Sequence, residues 1–542
     1  MKVMNRRIFL ALVVAGLVMG MNAFGAGQKA AEAPGGIVVS KTGIPVVEQP
    51  VTVKIAAVKR DEVTKDYSEM QVFEELTEVS NVVVEWDISE EQGWEEKKNL
   101  YFASGDLPDA FYGSEILTMS DLVRYGPQGL LIPIEDMIGP YTPYLNEILS
   151  KRPNFRGELV TPDGHIYALP SFRETKAAVA HDTFFINQQW VKNVGMSLPE
   201  TSEDFYQVLK AFKEQDANKN GDPNDEIPWS FLYDHDNIGI ASLWGMFGIL
   251  VTNARDYMYV KDGVPVFSMA RPEYKEGLLY FRKLHSEGLI DPEAFTHTNK
   301  ILKSKMTDFR LGAFTLWFLG PFGNDPQKEE LTALAPLEGP HGDRMWNEWP
   351  DEYGVKDKGA FAITSSAQCP EVLMRWADLH YEGKRSMEMF WGPFGLNLEE
   401  KADGIIVDAP LPEGMSVGEF RHSECPGSHA LYGILAEDYE RKPLDGNTEQ
   451  KLGWINTLYE PCFPEPPDEV YPRVFYTPEE NKELAFYKTD IFSYALEQTA
   501  KWITKGGIEE GWDDYIAKLE EMGLDGMMKI YRDAYDRYKA AQ

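Results

Sequence analysis

Two runs of β-branched residues, Val51–Val58 (V-T-V-K-I-A-A-V) and Asn81–Trp86 (N-V-V-V-E-W), flank a helix-compatible stretch, Asp66–Glu78, and that order leaves few folds open. A connection of this length suits a crossover between parallel strands, whereas an antiparallel pair needs only a tight turn. Helical spacing continues over Gly93–Ala103, and Asp106-Leu107-Pro108-Asp109 ends it before the short apolar run Ala110-Phe111-Tyr112. Alternation of this kind predicts an α/β fold. A further helix is predicted over Ser202–Gln215, where Phe205, Val208, Leu209 and Phe212 share a face, Ser202 is the expected cap, and Glu203 and Asp204 suit the positive end. Pro272–Glu287, Pro370–Gly383, Asn481–Lys505 and Gly511–Ala540 carry the same periodicity, and there is no internal repeat.

The amino terminus has a different logic. Lys2, Arg6 and Arg7 precede an apolar run from Ile8 to Met21, followed by Ala23-Phe24-Gly25, which reads as a secretory signal peptide over residues 1–25. The run is shorter than the roughly 20 apolar residues of a spanning helix. The first cysteine is Cys369, so no lipobox cysteine is available for lipid attachment, and a soluble periplasmic protein is expected. Residues 26–50 are rich in Ala, Gly, Lys, Glu and Pro and are read as a flexible leader. The remainder is long enough for two or three domains. Cys369, Cys425 and Cys462 form no C-x-x-C, which excludes a disulfide scaffold and leaves open whether Cys425 pairs with Cys462. The net charge of −34 makes nucleic acid and anionic membranes poor partners.

Residues 216–228 read D-A-N-K-N-G-D-P-N-D-E-I-P. Asp216, Asn218 and Asn220 alternate as the first ligands of an EF-hand loop do, Gly221 takes the sharp turn, and Asp222 falls where a backbone carbonyl points inward. The closing bidentate Glu of that template is replaced by Ile227, so closure falls to Asp225 and Glu226. An Asx-rich surface turn uses the same residues. Calcium is the expected ligand.

The loop follows H-I-Y-A-L-P at His165 and the block F-F-I-N-Q-Q-W-V-K-N-V-G-M-S-L-P-E-T-S-E-D-F-Y-Q-V-L-K-A-F-K-E-Q-D. A-S-G-D-L-P-D-A (Ala103–Ala110), E-G-L-L-Y-F-R-K-L-H-S-E-G-L-I-D-P-E (Glu276–Glu293) and G-W-D-D-Y-I-A-K-L-E-E-M-G-L-D (Gly511–Asp525) occur in the same order. Together these blocks resemble family 1 of the extracellular solute-binding proteins of ABC importers, in the oligosaccharide-binding branch with an EF-hand-like calcium loop that includes alginate-oligosaccharide-binding proteins. The resemblance covers most of the mature chain, with one extra residue between Gly221 and the Asp225-Glu226 pair. It implies a two-lobed periplasmic binding protein fold with a cleft between lobes and a hinge crossed more than once. The first lobe would take 51–171 plus 333–385, and the second 172–332 plus 386–542 with the loop 216–228. Calcium would be structural, away from the cleft.

No H-E-x-x-H, G-x-x-x-x-G-K-[ST] or G-x-G-x-x-G motif occurs, and no carboxylate pair stands out, although glycoside hydrolysis is defined by separation in space rather than by spacing. Aromatic residues make up 12% of the chain, and several Trp sit beside Gly or Pro in loop-like sequence. An aromatic plate covers the apolar face of a pyranose while polar groups bond its hydroxyls. Trp244, Trp317, Trp346 and Trp391 are therefore candidate platforms, whereas Trp376 and Trp502 fall inside helical patterns and are assigned to core. Tyr112, after the D-L-P-D turn, and Arg173, after Leu169-Pro170, are the candidate polar ligands, with an ion pair to neighbouring acids such as Glu174 as the competing role for Arg173.

The resemblance implies a monomeric binding protein that captures an oligosaccharide by hinge closure and hands it to a membrane permease. A polysaccharide-degrading hydrolase or lyase and a peptide-binding importer component are the alternatives. Sugar identity, neutral or uronic character, and transport or chemosensing remain open at the level of sequence.

Overall fold

The structure is a computed structural model that describes residues 31–32 and 36–541, apart from 61–62, 64, 181, 234–238, 252–256, 320–321, 323–325, 350–352, 414, 416 and 466–467. The signal peptide read over 1–25 lies outside the described residues. The strands of the two main sheets are, along the chain, β1 (Val51–Lys59), β2 (Val82–Glu90), β3 (Ala110–Tyr112), β4 (Leu169–Glu174), β5 (Thr183–Asn187), β6 (Ile227–Trp229), β7 (Leu311–Leu316), β8 (Leu331–Ala333), β9 (Tyr353–Ile363) and β10 (Gly433–Ile434). One sheet has six strands in the order β10-β4-β9-β3-β1-β2, and the other four in the order β8-β5-β7-β6. In the first, β1 pairs in parallel with β2 and β3, whereas β9 runs antiparallel to both β3 and β4.

The opening β-α-β unit forms as its sequence implies. Helix α1 (Gln71–Ser80) buries Val72, Phe73 and Leu76 and ends on Asn81, which takes a left-handed conformation (φ 60°) that asparagine tolerates. Helix α2 (Trp94–Ser104) returns the chain to β3, and α3 (Met119–Tyr125) begins on a Thr118–Asp121 capping box. Helix α4 spans Ser202–Glu214, but its cap is Thr201, whose side chain accepts from Asp204 N, rather than Ser202. Later come α5 (Pro272–Ser286), α6 (Pro370–Asp378), α7 (Gly446–Trp454) and α8 (Pro478–Lys505). The single helix expected over Gly511–Ala540 is two, α9 (Ile508–Glu521) and α10 (Leu524–Ala541), because Gly523 sits between them at φ +97°.

Two large apolar cores define the lobes. The first gathers residues from Val39 to Phe172 and again from Val355 to Leu435; the second gathers Val179 to Trp346 and Ile455 to Tyr535. The chain thus passes between lobes three times, near 173–179, 347–354 and 436–454. This differs from the sequence reading at two places. Residues 387–435, grouped above with the second lobe, pack in the first, because β10 joins the edge of the first sheet beside β4. Leu334, Leu337 and Trp346, grouped with the first lobe, pack in the second.

The leader read over 26–50 is corrected in its second half. Val39, Val46 and Val47 are buried to 1% exposure or less, and Val46 N and Val47 N both donate to Ser80 O at the end of α1. Arg375 on α6 clasps the same segment through Ser40 O (3.0 Å) and Gly43 O (2.9 Å). Sparse valines in a Gly- and Pro-rich stretch are enough to dock it once a groove exists.

Candidate binding cleft

Ligands of open α/β sheets sit outside the carboxyl ends of the strands, where loops rather than backbone ladders face solvent. In the first lobe those ends line a crevice of about 800 Å³. Val58 and Arg60 leave β1, Glu91 follows β2, Glu115 follows β3, and Lys356 and Lys358 lie on the incoming end of β9. The opposite wall carries Arg473 and Lys488 from the chain entering and forming α8.

The crevice floor is held by buried charge. Arg60 donates to Ser114 O (3.2 Å) and Glu115 Oε2 (3.3 Å), and pairs with Glu91. Asp357, 9% exposed, accepts from Glu115 N and from Gly359 N (2.9 Å), and burial pushes its carboxyl above the usual range. These contacts pin Glu115 in the left-handed region (φ 59°), an uncommon state for a non-glycine residue. Across the crevice the lobes touch: Lys358 Nζ donates to Arg473 O (3.2 Å), and Arg473 donates to Lys356 O (3.3 Å).

A second group lies where the crossings meet. Trp349 N donates to Val179 O (2.7 Å), joining the first two crossings, and α7, in the third, packs on the 176–178 turn. Glu174 ends β4 and forms a bidentate pair with Arg152 (both contacts 2.6 Å) while accepting from Ala436 N (3.0 Å). Arg173 is therefore not the partner of Glu174. It is half-buried, and its charge is felt by Tyr439 and Lys451 of the third crossing. Trp317, just after β7, is half-buried with Lys451 Nζ 3.0 Å from its ring centre.

The other candidates fall elsewhere. Tyr112 is fully buried in the first core, ringed by Tyr67, Phe73, Trp86 and Trp376, and accepts from Leu431 N (3.3 Å). Its side chain leaves β3 on the face covered by α1 and α6, which bring Phe73 and Trp376 against it. Trp244 (1% exposed) stacks on Tyr274 at 4.1 Å, and Trp346 (2%) lies 4.7 Å from Tyr459, both inside the second core. Trp391 is half-buried against the first core, edge-on to Phe390 and Tyr439. Gly or Pro beside a Trp marks a turn, and turns between helices also bury rings. Trp376 and Trp502 lie in cores, as their spacing implied. Cys425 is buried in the first lobe and Cys462 sits on the second, both free, so they do not pair.

The crevice residues missed from sequence are Arg60, Glu115 and Asp357. A dispersed charge has no periodic signature; only Glu115, two residues beyond Gly113 at a strand end, stood beside a quoted motif.

The loop at 216–228 folds around its own polar groups. Asp216 accepts from Asn220 N (3.1 Å) and Gly221 N (3.0 Å), Asn218 Oδ1 accepts from Asn220 N (2.9 Å), and Asn220 Oδ1 accepts from Asp222 N (2.8 Å). Asp225 faces the side chains of Asn218 (3.0 Å) and Asn220 (2.7 Å), while Glu226 Oε1 accepts from Ala217 N (2.8 Å) and its Oε2 is buried with no partner among the described residues. No set of three or more His, Cys, Asp or Glu side chains is gathered for a metal among the described residues. The oxygens here are mixed Asn and Asp groups, as hard cations prefer, and the buried Glu226 oxygen without a hydrogen-bond partner among the described residues fits a cation ligand.

No family model matches the chain. It is 32% identical over 489 residues, 88% of each chain, to the fructooligosaccharide ABC transporter substrate-binding protein FusA of Streptococcus pneumoniae serotype 4. The chain belongs to the substrate-binding proteins of ABC transporters. The solved structure of FusA in complex with kestose superposes with a TM-score of 0.80 at 30% identity, covering 91% of this chain and 100% of that one. A human-milk-oligosaccharide-binding solute-binding protein of Bifidobacterium longum infantis shares the fold at TM-score 0.80 and 24% identity, over 91% and 99% of the two chains. As a substrate-binding protein this chain has the two lobes and interlobe crevice that its fold neighbours share, and among the described residues no helix is long and apolar enough to cross a membrane.

Proposed function

We propose that this substrate-binding protein captures an oligosaccharide between its lobes outside the cytoplasmic membrane and presents it to a permease. The crevice of about 800 Å³ at the strand ends, bounded by charged groups from both lobes, carries the reading. Its near full-length similarity to a fructooligosaccharide-binding relative supports it. Contacts to both lobes exist only when the lobes are closed, so ligand shifts the open–closed equilibrium by that difference in affinity. No covalent step is required.

A thermal-shift screen with neutral oligosaccharides, uronic oligosaccharides and short peptides tests the assignment. A rise in melting temperature with a sugar supports it, and a response to peptides alone overturns it. Trp317→Ala is expected to weaken sugar binding by about 1–3 kcal/mol, the range for losing a buried aromatic contact. Unchanged affinity in the folded variant would exclude Trp317 as a sugar contact.

Calcium is proposed as a structural ion held by Asp216, Asn218, Asn220, Asp225 and Glu226 with the Asp222 carbonyl. An EF-hand mutant of FusA has been solved with fructo-nystose, and that protein is similar to this chain at 30% identity. An ion at about a hundred times its dissociation constant stabilises the folded state by about 2.7 kcal/mol. Chelator should accordingly lower the melting temperature, and added calcium should restore it; a melt indifferent to both excludes the ion.

A further inference from the structure

Two buried charged groups at the meeting of the crossings lack the partners such groups need. Lys451, on α7, is 0% exposed; its Nζ lies over Trp317 and makes no hydrogen bond among the described residues. Asp182, at the entrance to β5, is 1% exposed; its Oδ1 accepts from Ser242 Oγ (2.7 Å), and its Oδ2 has no partner among the described residues. Asp182 directly precedes Thr183, whose Oγ1 donates to Trp317 O (3.4 Å), which brings the chain at Asp182 beside the tryptophan that Lys451 caps. Each feels the other's charge, and burial pushes Asp182 up to about 6 and Lys451 well below the usual ammonium value. Folded chains rarely keep a buried ammonium and a buried carboxylate oxygen unsatisfied, since each costs its desolvation without return.

The pair offers one fixed donor and one fixed acceptor beside a half-buried aromatic face. An anion would satisfy Lys451 but repel Asp182, and a cation the reverse. A sugar hydroxyl donates and accepts at once, so neighbouring hydroxyls on one ring meet both demands. We propose that Asp182, Trp317 and Lys451 form an inner subsite for a neutral sugar ring, which packs on Trp317 while one hydroxyl donates to Asp182 Oδ2 and another accepts from Lys451 Nζ. The ring face that Nζ now caps is the one the sugar takes, with Lys451 moving from the aromatic contact to the hydroxyl. This rests on the oligosaccharide reading above.

Stability and affinity separate this role from a structural one. A buried polar atom left unsatisfied in the free protein is a cost there, so Lys451→Met and Asp182→Asn, which keeps the oxygen that Ser242 bonds, should leave the ligand-free melting temperature unchanged or raise it. Both should weaken the tightest-binding sugar about ten- to hundredfold, as loss of a hydrogen bond to a charged group does. Calorimetric titration of wild type and both variants would use kestose, gluco-, galacto- and xylo-oligosaccharides and an oligogalacturonate. Asp182→Asn, nearly isosteric, carries the test if Lys451→Met does not fold. Wild-type binding with variant affinities within twofold, or a fall in melting temperature at unchanged affinity, overturns the subsite and leaves the broader reading standing. A wild type that binds no sugar overturns both.

Discussion

Trp244→Ala is expected to destabilise the protein by about 3–5 kcal/mol, the range for truncating a large buried aromatic. The indole is 1% exposed, stacks on Tyr274 with an interplanar angle of 18°, and meets Phe281 edge-on at 4.8 Å. The surroundings are built around it: a Cβ at Gly277 on α5 would lie 2.6 Å from the indole, so the helix carries glycine where the ring passes. Collapse into the vacated space would require moving α5 itself. The loss should appear as a lowered urea midpoint with unchanged slope. Sugar affinity per folded molecule should stay near wild type, which contrasts with Trp317→Ala. A stable variant with weakened sugar binding would return Trp244 to the cleft.

Arg375→Ala should cost a similar 3–5 kcal/mol, for an electrostatic reason. Arg375 and Asp378 are both 0% exposed and 2.7 Å apart, and Asp378 also accepts from Leu145 N (2.9 Å) and Tyr144 N (3.3 Å). Removing the guanidinium leaves a buried carboxylate without its counter-ion and frees two carbonyls of the 36–50 segment. Burial already pushes Asp378 up to about 6. Its folded value lies above the unfolded one of about 3.9, so the folded state holds the extra proton and stability falls as pH rises between them. Losing Arg375 raises the folded value further, and the defect should therefore be larger at pH 8 than at pH 5. Denaturant melts at the two pH values check this; equal loss at both would mean that packing, not charge, is what Arg375 supplies. Limited proteolysis should also begin cutting within residues 36–50.

The residues explain why the fold was easier to read than the site. β1, α1 and β2 were legible because apolar periodicity is local, and each element buries the face its own sequence marks. Lobe membership of residues 387–435 was not, since it depends on β10, two residues long, finding the edge of β4. The loop at 216–228 could be read as a candidate calcium site because its Asp and Asn side chains are close together in the chain. Cleft residues come from separate strand ends: Arg60, Glu115 and Asp357 converge only after β1, β3 and β9 are paired. Tyr112 was misread for the same reason: Glu115 after the same strand lines the crevice, whereas Tyr112 itself is buried in the first core. Trp244 and Trp346 show that a ring in loop-like sequence is as readily a core residue as a platform.

The claim that matters most is reversible capture of an intact sugar. Calorimetric titration of the protein, with calcium in the buffer, against kestose and the wider oligosaccharide panel, followed by mass spectrometry of the recovered ligand, tests it directly. Saturable one-site binding with the sugar recovered at unchanged mass is the expected result. Sugar recovered in cleaved form, or no heat with any member of the panel, would contradict it.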